Sequence, residues 1–117
     1  MIYKTDIQKE FYTEERCFIT EILNSADIPQ LSVAQARVEP GVTTALHSLN
    51  ADESYYILEG HGQVEIGGGS PQSVEKGDLV RIPTGRSQRI TNTGEGTLIF
   101  LCICTPRFTA EGYSALD

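Results

Sequence analysis

The sequence predicts an all-β domain, either a β-sandwich or a closed barrel. Three observations carry this. The chain divides into about ten short segments of strand character at regular spacing. Glycine, proline and asparagine punctuate them as turns. No stretch sustains the 3.6-residue apolar period of an amphipathic helix. With 117 residues the chain can build one hydrophobic core and not two. Residues 1–117 therefore read as one domain, with a barrel over residues 17–108 and the N-terminal segment and C-terminal tail packed on it.

Taken in order, Glu10 to Arg16 is read as a helical turn. Cys17 to Leu23 is a mixed apolar strand that ends at Asn24-Ser25, and Asp27-Ile-Pro29 turns the chain. Leu31 to Glu39 carries small and β-branched residues, and Pro40-Gly41 breaks it. Val42 to Ser48 and Ser54 to Glu59 are the next strands, joined by the polar loop Asn50-Ala-Asp52. Gly60-His61-Gly62 reads as a tight hairpin connection, because glycine supplies the positive φ of such turns. Gln63 to Ile66 alternates polar and apolar as a half-buried strand does. After the loop Gly67 to Pro71, strands follow at Ser73 to Glu75, Leu79 to Ile82, Gln88 to Thr91 and Leu98 to Cys104. Pro106 to Asp117 is read as an irregular tail pinned by Phe108 and Tyr113.

Composition narrows the partners. The formal charge is −7, so neither nucleic acid nor an anionic membrane surface is expected as a partner. No apolar run has the length of a membrane span, and the first residues lack the basic and apolar regions of a signal peptide. Three cysteines cannot all pair within one chain. Cys102 and Cys104 share a strand face with α-carbons about 6.6 Å apart, an awkward span for a disulfide. Three reduced thiols in a cytoplasmic protein is the simplest reading. Leu98 to Cys104 is apolar on both faces. Its outer face must therefore be covered by the N-terminal segment, the tail or a second subunit.

Two spaced motifs carry the chemistry. The first is Gly41, five residues, His47, then Glu53 and Gly60, with Leu49 two places after the histidine. The second is Gly77, five residues, Pro83-Thr-Gly85, then Gln88 and Asn92. Together they resemble the paired signature of the cupin superfamily. In that family a second His stands where this chain has Leu49, and a third where it has Gln88. Within the family, the segment Gln88 to Phe108 looks like a group of small single-domain cupins in which Gln is usual at that position. The resemblance implies a double-stranded β-helix, the jelly-roll barrel, and favours a homodimer through the two-sided apolar strand. It also implies that residues 47, 53 and 88 meet inside the barrel, where the family holds a divalent metal.

Candidate site residues follow from what the resemblance implies, read together with parity and chemistry. His47 and Leu49 share one face, and Glu53, Tyr55 and Ile57 share another. His47, Glu53 and Gln88 are the candidate ligands for a Zn, Ni, Mn or Fe ion, held weakly because a single imidazole remains. The alternative is a metal-free polar cluster in which His47 bonds to Glu53 or Gln88. Glu53 and Tyr55 are the candidate catalytic residues, since a buried carboxylate needs a partner or a ligand. One of Tyr55 and Tyr56 should reach the cavity while the other packs outside. His61 lies roughly 20 Å from the site along the strand and is read as a solvated turn residue. Arg81, Arg86 and Arg89 are read as surface, with an anionic ligand at the barrel mouth as the alternative. Two functions stay open: a small-molecule binding module, or an isomerase or dioxygenase acting on a sugar-like or hydroxy-carbonyl substrate.

Overall fold

In a computed structural model that describes residues 1–117, the chain forms eleven strands in two antiparallel sheets. The strands are β1 (Phe11–Tyr12), β2 (Phe18–Leu23), β3 (Ser32–Val38), β4 (His47–Leu49), β5 (Asp52–Glu59) and β6 (His61–Ile66). They continue as β7 (Gln72–Glu75), β8 (Leu79–Ile82), β9 (Gln88–Asn92), β10 (Leu98–Thr105) and β11 (Tyr113–Ala115). One sheet runs β1-β2-β3-β10-β5-β8 and the other β11-β4-β9-β6-β7. Ile7–Lys9 and Ala110–Gly112 are single 3-10 turns, and no helix is long and apolar enough to cross a membrane.

The core lies between the sheets. Ala36, Val38, Tyr55, Ile57, Ile82, Leu98 and Phe100 from the first sheet meet Val64, Val74 and Ile90 from the second. Their two-residue spacing along each strand puts them on one face. Full burial of a Val, Leu, Ile or Phe side chain stabilises by about 1.5–3 kcal/mol. A smaller cluster of Leu49, Ala51 and Cys104 closes one end, with Phe108 and Tyr113 packed against it. Asn92 is architectural. Its amide donates to the carbonyls of Val38 and Gly96 (2.9 and 2.8 Å), and its oxygen accepts from Gly94 N–H.

Four local expectations need correction. Residues 10–16 form no helical turn: β1 and a tight turn at Thr13–Arg16 pair back onto β2, with Arg16 at φ 68°. Val42 to Ser48 is strand only at its end, with an isolated bridge from Thr43 to Thr91. Gly60-His61-Gly62 is no hairpin, because β5 and β6 belong to different sheets. Gly60 (φ 93°) instead crosses the chain between them, and a β-carbon there would stand 2.7 Å from the Thr97 carbonyl oxygen. Only glycine makes both the sign of φ and the approach. The tail, finally, is ordered structure: Tyr113–Ala115 pairs antiparallel with β4, opposite Leu49 to His47.

Candidate functional site

β4 and β5 carry the first motif, and Ala51 is buried in the short link between them. β10 lies beside β5 and sets Cys104 opposite Glu53. β9 lies beside β4 and sets Gln88 opposite His47. His47, Glu53, Tyr55 and Gln88 are all buried. A cavity of about 220 Å³ opens among these elements, and His47, Glu53 and Tyr55 line it. Tyr55 points inward, and Tyr56 is 40 % exposed on the opposite face.

Glu53 is the least satisfied group. Its Oε2 faces the Cys104 thiol at 3.6 Å, and its Oε1 is buried without a hydrogen-bond partner. Burial pushes its carboxyl up to about 7; the nearby Glu15 charge adds to this, while Gln88, Cys104 and Cys102 act against it. Desolvation disfavours the charged form.

His47 bonds to neither Glu53 nor Gln88, unlike the metal-free alternative raised by the sequence. Its Nδ1 donates to the Ala45 carbonyl (2.9 Å), and Glu15 Oε2 lies 3.3 Å from the same nitrogen. A carbonyl only accepts, so Nδ1 carries a proton. The ring stacks on Tyr113 of β11 (centroids 5.0 Å apart, planes at 18°). Glu15 enters from the β1–β2 turn, and its own carboxyl is raised by burial and drawn back by His47. Sequence reading missed both Glu15 and the stacking role of Tyr113. The register of β11 on β4 and the backbone bond from Ala45 N–H to the Glu15 carbonyl (3.1 Å) bring them in.

Gln88 serves Tyr55: the Tyr55 hydroxyl donates to its side-chain oxygen. Burial raises the Tyr55 hydroxyl well above its ordinary range, so it remains a proton donor. Cys17, Cys102 and Cys104 are free thiols on the cavity wall. Burial pushes Cys17 up to about 11 and also raises Cys102 and Cys104, so all three are protonated bulk rather than nucleophiles.

Of the three expected metal ligands, His47 and Glu53 line the cavity and Gln88 does not. Gln88 gives its oxygen to Tyr55, His47 directs Nδ1 away, and Leu49 supplies nothing. No three His, Cys, Asp or Glu side chains are placed to share an ion. The donors present do not fit the metal of the family signature. Arg81 pairs with Asp52 and Arg89 with Glu65, and neither these nor Arg86 lines the cavity. His61 is exposed on β6.

A two-sheet β-barrel with a side-chain-lined cavity defines the class of jelly-roll barrels. The pattern described as a cupin domain matches residues 34–104, more than half of the chain, and the protein belongs to the cupin family. A vicilin-like seed storage protein of Arabidopsis thaliana is 36 % identical over 61 residues, which are 50 % of this chain and 13 % of that protein. The chain thus spans about an eighth of that relative's length. Among solved structures, a conserved double-stranded β-helix protein of Klebsiella pneumoniae aligns at TM-score 0.78 and 16 % identity, covering 94 % of this chain and 92 % of that one. Pac13, a nucleoside dehydratase, aligns at 0.80 and 15 %, covering 100 % and 92 %, and variants of the Streptomyces protein are matched with uridine. A predicted oxalate decarboxylase of Thermotoga maritima aligns at 0.75 and 22 %, covering 91 % and 99 %. These structural likenesses establish the fold.

Proposed function

We propose that the barrel binds a small polar molecule in the cavity, with Glu53 as its principal polar contact and Tyr55 and His47 beside it. One observation carries this: a buried carboxylate oxygen on the cavity wall without a partner. Leaving such a group unmatched costs about 1–3 kcal/mol, which a bound donor would recover. Gln88 supports the site by aiming the Tyr55 hydroxyl. The uridine held by a relative of the same fold supports a ligand of about that size. Nothing in this reading passes through a metal. A divalent ion would meet a single imidazole and carboxylates that form no three-ligand group, so it would exchange readily.

A second reading is enzymatic. His47 and Glu53 are two proton-transfer groups on one cavity, and the Ala45 carbonyl orients the imidazole through Nδ1. A proton shift on a hydroxy-carbonyl or sugar-like substrate is the reaction they suit. The nucleoside dehydratase with this fold supports the class. The free thiols agree with a reducing compartment such as the cytoplasm.

Glu53→Gln tests the reading. Calorimetry with small sugars, amines and nucleosides should show binding that weakens at least about tenfold in the variant, with the melting temperature held or raised. Unchanged binding together with a clear loss of stability would reduce Glu53 to a structural role. Elemental analysis of the wild-type protein after chelation should find less than stoichiometric metal.

A further inference from the structure

The cavity has a charge character of its own. No lysine or arginine lines it, and its one basic side chain, His47, already faces Glu15. Carboxylates reach it from three elements: Glu15 from the β1–β2 turn, Glu21 from β2 and Glu53 from β5. Glu53 is only 6 % exposed and has a free oxygen. The other groups around it, Tyr55, Cys102 and Cys104, are neutral. Phe11, Phe100 and Phe108 join Tyr55 in giving the same space aromatic walls. The faces of such rings attract cations.

We propose that the cavity selects a small organic cation, an ammonium on an apolar body, with Glu53 as its counter-ion and the aromatic rings as its walls. This rests on the binding reading above and narrows it. An anion would meet three carboxylates and no free cation. A neutral ligand would leave the Glu53 charge uncompensated or require it to take up a proton. An ammonium supplies both the missing charge and the missing donor. Folding has already stripped water from Glu53, so that part of the desolvation cost falls on the protein and not on the complex.

Calorimetry at pH 8 with benzylamine, benzyl alcohol and benzoate tests this, because the three share a ring and differ in charge. Uridine serves as a neutral nucleoside beside them. Benzylamine should bind at least about tenfold more tightly than benzyl alcohol, and benzoate should not bind. In Glu53→Gln the two should come within about twofold, with the circular dichroism spectrum retained. Glu21→Gln, at an exposed position, provides a second variant: it should weaken benzylamine about threefold and leave benzyl alcohol unchanged. Benzoate or benzyl alcohol binding as tightly as benzylamine would overturn the proposal. So would a benzylamine preference that survives both variants. Binding of uridine or benzyl alcohol without benzylamine would sink the cation and leave the binding reading standing. No heat from any of the four would sink both.

Discussion

Glu53 couples the site to pH through stability as well as binding. Its folded carboxyl is pushed up to about 7 by burial, against 4.5 for the free group. A group raised in this way contributes fully below its unfolded value, and the contribution is lost as pH rises through the folded one. The protein should therefore lose stability between pH 5 and 8. By the conversion of 1.36 kcal/mol per unit, the loss from Glu53 alone is about 2–3 kcal/mol. Glu15 and Glu21 are also raised by burial and act in the same sense. Glu10, Asp52 and Glu65 are lowered by Arg37, Thr84 and Arg89 respectively, and their contributions disappear only in acid, below this window. Thermal melts across pH 5 to 8 check the trend, and Glu53→Gln should flatten it. A wild-type melting temperature that rises over this range would contradict the assignment. Glu53 was legible in the sequence because a carboxylate at inward strand parity requires a partner. The partners themselves were not, since the Glu15–His47 contact depends on a turn whose positive-φ residue, Arg16, carries no local signal.

At the scale of elements, glycines with the same sign of φ have different jobs. Gly77 (φ 92°) has open space where a β-carbon would stand, whereas Gly60 meets Thr97 O at 2.7 Å and Leu98 Cα at 3.0 Å, both backbone atoms. Gly77→Ala should cost about 1–2 kcal/mol, the left-handed penalty alone. Gly60→Ala adds a clash that only movement of one sheet against the other relieves, so it should cost at least about 3 kcal/mol. Urea unfolding of both variants gives the comparison, and equal costs would refute the role assigned to Gly60. Strands with clear alternation or motif glycines at their ends were readable in advance. β11 was not: Tyr-Ser-Ala is too short to show a period, and its pairing with β4 is a tertiary event. The crossing at Gly60 looked like a hairpin because glycine serves both kinds of turn equally well.

For the whole molecule, the outer face of the six-stranded sheet decides assembly. Ile99, Leu101 and Ile103 of β10 remain half-buried there, beside Tyr56 and the 58 % exposed Leu79. The tail cannot cover them, because it pairs with the other sheet. The N-terminal Ile2, Tyr3 and Ile7 are themselves exposed. We propose that a second copy covers this face, as the apolar pattern of Leu98 to Cys104 led us to expect. Light scattering at micromolar concentration should give twice the chain mass. Leu79→Glu should shift the population toward monomer, with the cavity unaffected on the far side of the sheet. A wild-type monomer would refute the dimer.

The central place of β10 also bears on how the protein is made. This strand is formed by residues 98–105, yet it hydrogen-bonds β3 on one side and β5 on the other. A ribosome must deliver most of the chain before either neighbour has its partner. Until then β3 and β5 both present unpaired edges, the kind of surface that recruits other chains. Growth of the polypeptide thus runs ahead of its folding, and the two edges wait for a strand that lies far along the chain.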